Sequence, residues 1–243
     1  MIERTIDIAT GDGAMTTFIC HPERGGPHPP ILFFMDAPGI REELRDMVRR
    51  LASAGYYVLL PNLYYRAGVS ELGPFFTEDQ RKRMFALMES LSIAMVMADT
   101  DALLAFAEQD SAAADGPAGT MGYCMSGQFA INAAAHHPQK IAAAASLYGV
   151  RLVTEAADSP HRAAAKSNAE LYFACAETDH WAPLSMVQTL KAALAEIEAN
   201  AEVEIYPGVE HGFAFPQRPA YDRDAAERHW ERLFALFARR LHP

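Results

Sequence analysis

From residue 31 onward, continuous apolar runs alternate with amphipathic stretches, and this alternation constrains the fold more than any other feature of the sequence. Ile31-Leu32-Phe33-Phe34-Met35 has no polar residue, as a strand buried on both faces requires. Residues 41–54 follow as a helix, with Leu44, Met47, Val48 and Leu51 on one face and Gly55 as its stop. Further strands are predicted over 57–60, 120–123, 142–148, 171–175 and 203–206. One or two helices are predicted over 77–108, and single helices over 125–136, 184–197 and 222–241. That order implies an α/β protein whose mostly parallel central sheet is flanked by helices on both faces. Ahead of it, 5–9 and 15–20 read as two strands joined at Gly11-Asp12-Gly13, a good hairpin turn. There is no repeat and no linker rich in Gly or Ser, so a single domain over residues 1–243 is expected.

The composition removes several classes of function. Lys and Arg number 21 against 31 Asp and Glu, a net charge of −10 with no basic cluster, which argues against a nucleic-acid partner. No run approaches the roughly 18 apolar residues of a membrane helix, so no membrane partner is expected. Residues 1–10 alternate charged and apolar side chains and hold no signal-peptide core. Cys20, Cys124 and Cys175 are an odd count at spacings that fit neither a disulfide framework nor a zinc site. The expectation is a cytoplasmic protein with no bound metal. The oligomeric state is left open.

Gly122-Tyr123-Cys124-Met125-Ser126-Gly127 is the segment with chemistry in it. It follows a predicted strand and opens a predicted helix, the setting of a nucleophile elbow. So tight a turn needs small residues two before and two after the nucleophile. Gly122 and Ser126 meet that need around Cys124, whereas Gln128 is too large for Ser126 to be the nucleophile. A thiol at a helix N-terminus faces unpaired backbone N–H groups and the positive end of the helix dipole, both of which favour thiolate. The Met125 N–H and one from a neighbouring loop can hold an oxyanion. Cys20 and Cys175 lie inside predicted strands and read as inert packing.

The elbow calls for an acid and then a histidine later in the chain. Asp179 comes just past the strand over 171–175, and His211 just past the strand over 203–206. The carboxyl ends of parallel strands are where such sites assemble. His211 would accept the thiol proton and Asp179 would fix its tautomer. Glu177, Glu210 and His180 are competing groups in the same loops.

With these residues in view, the chain resembles the dienelactone hydrolase (carboxymethylenebutenolidase-like) family over nearly its whole length. Gly122 to Gly127, Thr178-Asp179-His180-Trp181-Ala182-Pro183 and His211-Gly212-Phe213 carry the resemblance, with Pro61-Asn62-Leu63-Tyr64 and Tyr148-Gly149-Val150 in support. The resemblance implies an α/β-hydrolase fold, no cofactor, a Cys-His-Asp triad and a small-molecule ester or lactone as substrate. It also implies that Asp36 stands where a carboxylate restrains the resting thiol, shorter by roughly 1.3–1.5 Å than the glutamate expected there. Ala37 would supply the second oxyanion N–H beside that of Met125. Of two arginines that would clamp a substrate carboxylate, Arg81 matches the first, and Phe215 replaces the second and makes the pocket more apolar. Arg151 and Arg218 are the candidates to take the missing place. Two other readings stay open: an esterase of broad range, and a redox-sensing or ligand-binding thiol protein on the same fold.

Overall fold

The computed structural model describes residues 1–72 and 77–241, which fall into two compact units, Met1–Gly116 and Pro117–Pro243.

In the first unit, β1 (Ile2–Thr10) and β2 (Gly13–His21) form the expected hairpin, in register from Ile2 opposite His21 to Thr10 opposite Gly13. Both strands run further than the apolar pattern suggested, because main-chain pairing carries polar edge residues along with it. β3 (Pro30–Phe34) is buried at every position and pairs in parallel with β4 (Tyr57–Pro61), which pairs antiparallel with β2. The strand order is β1-β2-β4-β3. Between β3 and β4, α1 (Glu42–Ser53) packs on β2 and β4 through Leu44, Met47, Val48 and Leu51. The stretch read as one or two helices is two, α2 (Glu78–Ser90) and α3 (Ile93–Gln109). Thr77 and Gln80 form a capping box at the start of α2, and the Ser92 side chain caps α3.

In the second unit, β5 (Ala118–Tyr123), β6 (Ile141–Leu147), β7 (Glu170–Thr178) and β8 (Ala201–Glu210) pair in parallel in that order. α4 (Gly127–His136) packs on β5 and β6. A short α5 (Pro160–Ala163), which periodicity cannot reveal, starts with Pro160 in its first turn. α6 (Leu184–Glu196) packs on β7 and β8, and α7 (Arg223–Leu241) on β5, β6 and β7. β5 is buried at every position and β6 at nearly all, so helices cover both of its faces. β8 runs through Pro207 and Gly208 to Glu210, past the predicted end at residue 206. Its only partner among the described residues is β7, and a proline is tolerated on such an outer strand. No single described helix is long and apolar enough to cross a membrane.

Candidate active site

The elbow follows from what Gly122 lacks. A Cβ on Gly122 would lie 2.2 Å from the Ser126 carbonyl oxygen, so only glycine lets the chain fold back this sharply. Cys124 takes up the reversal with φ 54°, a left-handed conformation that costs a non-glycine residue about 1–2 kcal/mol. A single 3-10 turn, Cys124–Ser126, then leads into α4, which therefore begins two residues later than its sequence pattern suggested. Gly127 and Gly149 serve the same compaction: a Cβ on Gly127 would come within 2.6 Å of the Gly149 Cα. The Val150 N–H donates to the Cys124 carbonyl at 3.1 Å and holds the turn from outside. Cys124 is half-buried, whereas Cys20 and Cys175 are buried and their thiols are pushed up by burial, to about 11 and about 12. The packing role expected for those two agrees with this environment.

Asp179 follows directly on β7. Its Oδ1 accepts the backbone N–H groups of Trp181 (2.8 Å) and Ala182 (3.0 Å), which leaves Oδ2 for His211 Nδ1 at 2.7 Å. The carboxylate side chain is 1% exposed and the imidazole 14%. His211 follows directly on β8, and Gly212, with φ 92°, turns the chain away behind it. Cys124 lies close enough to the imidazole to help raise its pKa. Burial by itself would lower the His211 pKa, but the hydrogen bond to Asp179 and the neighbouring Cys124 outweigh it and push the group up to about 9. The carboxylate thus orients the imidazole through one hydrogen bond, with the Cys124 thiol beside the ring. The competitors are placed elsewhere: Glu177 accepts the Gly208 N–H at 2.7 Å, His180 is exposed with its ring edge-on to Trp181, and Glu210 is exposed.

An aromatic cluster lies behind the histidine. The Tyr148 ring stands 4.9 Å from that of His211, 5.3 Å from Phe213 and 5.6 Å from Tyr123, centroid to centroid. Phe215, expected to offer apolar surface to a ligand, has no exposed area. Its ring packs against Tyr123 at 5.1 Å and Tyr148 at 6.2 Å, and the Arg218 guanidinium covers it at 4.9 Å. The Arg218 side chain also passes beside Gly212, one residue from His211. Sequence reading assigned Tyr148 no role, though its place just past β6 was the available signal.

Cys124, Met125, Asp179, His211 and Phe215 belong to the second unit; Asp36, Ala37 and Arg81 belong to the first. Asp36 is fully buried just past β3, with both carboxylate oxygens on Arg41 at 2.6 and 3.2 Å. Tyr64 donates its hydroxyl to the Ala37 carbonyl at 2.8 Å, and Asp36 and Gly39 close a turn around Ala37. Arg81 is exposed in the first turn of α2.

The fold is that of the α/β-hydrolases, with the elbow, the acid and the histidine each placed at the end of a parallel strand. A solved structure from Klebsiella pneumoniae described as a putative dienelactone hydrolase matches with a TM-score of 0.87 at 27% identity, over 98% of both chains. Residues 15–241 match the dienelactone hydrolase family, and the chain belongs to it. Proteins named "Putative carboxymethylenebutenolidase" from Methylorubrum extorquens and Escherichia coli K12 are each 30% identical to it. The first match covers 96% of this chain and 79% of the relative, the second 92% and 82%. The protein is a hydrolase of the dienelactone hydrolase type.

Proposed function

We propose that this hydrolase opens small lactones or esters through an S-acyl intermediate on Cys124. The observation that carries the reading is the hydrogen bond from His211 to Asp179 together with a nearby thiol held at a left-handed elbow. Sulfur attacks the carbonyl carbon and His211 holds the thiol proton. The oxyanion is met by the Met125 N–H at the start of the helix. Collapse breaks the carbon–oxygen bond, and the leaving oxygen takes the proton from His211. Water then gives a proton to His211 and adds to the thioester, and the freed thiolate recovers that proton as the acid departs. The names of the relatives, which point to a lactone, support the substrate class.

The test is to quench the protein with acid during turnover of a p-nitrophenyl ester and to map the adduct by mass spectrometry. The expected result is one acyl group on the peptide that carries Cys124, absent from Cys124→Ala. Ester turnover with no acyl-cysteine at any time would overturn the S-acyl reading.

Arg218 also supports a preference for substrates with a carboxylate, because its guanidinium lies beside Gly212 and covers Phe215. Arg218→Ala is expected to raise KM for an anionic ester about tenfold or more, the loss of a charged hydrogen bond of about 1.5–3 kcal/mol, and to leave a neutral ester nearly unchanged. Arg81→Ala, measured on the same two substrates, tests the other candidate. Equal losses on both substrates would make either arginine structural.

A further inference from the structure

We propose that Tyr148 is the positioning residue of the His211 imidazole, fixing the ring so that it addresses the Cys124 thiol. The inference rests on the triad reading above and adds a residue to it.

The backbone at Tyr148 is unusual. Its φ of 36° lies in the left-handed region, where a bulky aromatic residue is a genuine outlier. Such strain persists only where the surroundings over-determine it, and here they do. The Tyr148 N–H donates to the Ala174 carbonyl of β7 at 2.6 Å, and two residues on the Val150 N–H donates to the Cys124 carbonyl at 3.1 Å. Gly149 lies between them, where a Cβ would meet the Ser146 hydroxyl at 2.1 Å. Residues 148–150 therefore clasp the elbow to the strand that delivers Asp179. The strain has a consequence for the side chain: it sends the ring inward, 1% exposed, at 63° to the His211 ring and 4.9 Å from it.

An imidazole held only by Asp179 through Nδ1 can still swing about that hydrogen bond. A flat, rigid ring standing across it removes that freedom. Phe213 and Tyr123, which pack against the same tyrosine, hold the tyrosine in turn. The groups facing His211 are thus Asp179 at one nitrogen, Cys124, and the Tyr148 ring on its flank. The ring serves as a backstop, so the hydroxyl should be dispensable for positioning.

The experiment compares Tyr148→Phe with Tyr148→Leu and Tyr148→Met, which fill similar volume without a flat ring. Two readouts are followed: kcat and KM on one neutral ester, and the pH profile of Cys124 alkylation by iodoacetamide. Leu and Met are expected to lower kcat about ten- to a hundredfold with KM within about twofold, as misplacement of a catalytic group does. Their Cys124 alkylation is expected to slow, because a wandering imidazole no longer takes up the thiol proton. Phe should behave as wild type in both. Tyr148→Phe as impaired as Tyr148→Leu, or a folded Tyr148→Leu with the wild-type alkylation profile, would overturn the proposal. Should neither aliphatic variant fold, the wild-type protein still decides: a nuclear Overhauser contact between the Tyr148 and His211 rings is required, and its absence overturns the proposal. Alkylation is read on the thiol without any substrate, so it separates this inference from the triad reading. An active Cys124→Ala sinks the triad, whereas an inactive one with unaltered Tyr148 variants sinks only the role of Tyr148.

Discussion

Cys124→Ala is expected to lower ester turnover by roughly four to six orders of magnitude while the protein stays folded, the size of effect that follows removal of a nucleophile acting within a triad. Cys124 is half-buried and its side chain is small, so truncation to alanine leaves little cavity. His211→Ala should cost about as much, and the double variant no more than either single one, because groups that act as a unit are not additive. Asp179→Asn should cost less, and it carries a second signature in pH. With His211 pushed up to about 9 from its ordinary 6.5, the imidazolium proposed to protonate the leaving oxygen persists up to that pH. The alkaline limb of kcat/KM in the wild type should therefore fall through about pH 9. The hydrogen bond His211 donates to Asp179 is the largest influence raising its pKa, so Asp179→Asn should bring the limb down toward 6.5. Measuring kcat/KM from acid to alkaline pH on both proteins checks the sign. Wild-type turnover in Cys124→Ala sinks the assignment, and an alkaline limb unmoved in Asp179→Asn sinks the coupling.

Much of this site was legible because its three central residues are tied to strand ends, and strand ends are readable from apolar runs. Cys124 sits between β5 and a helix, while Asp179 and His211 come one residue past β7 and β8. Most of what escaped depends on residues distant in sequence. Phe215 reads as an apolar replacement for an arginine, but its burial comes from Tyr123, Tyr148 and Arg218 together, and no local pattern announces that. The contact of Tyr148 with His211 spans 63 positions and depends on a backbone strain that propensity opposes. β8 extends past the strand predicted over 203–206, through Pro207 and Gly208, which a strand with one partner among the described residues tolerates. Asp36 reads as the carboxylate that restrains the resting thiol, and its bidentate pairing with Arg41, five positions on, is announced by no motif.

The same reasoning makes Gly122 the most sensitive position outside the reacting groups. An alanine Cβ there would sit 2.2 Å from the Ser126 carbonyl oxygen and 2.5 Å from its carbon. These are backbone atoms, so no side-chain rotation relieves the clash. Either the chain of β5 or the turn Cys124–Ser126 must move, and both carry the nucleophile. Overpacking of this kind costs about 1–3 kcal/mol, which corresponds to about 2–4 °C in Tm per kcal/mol for a chain of this size. The effect on turnover should exceed the effect on stability. A shift of about 1 Å at the thiol breaks its alignment with His211 and with the Met125 N–H, and misplacement on that scale costs about a hundredfold. Gly122→Ala is therefore expected to melt several degrees early and to lose at least about a hundredfold in kcat, with slower alkylation of Cys124. Gly11→Ala is the control: an added Cβ there meets nothing within 4 Å, and both Tm and kcat should stay near wild type. If Gly122→Ala melts early but keeps its kcat, the turn can yield without moving the sulfur, and the elbow would not be the rigid support on which the thiol's geometry depends.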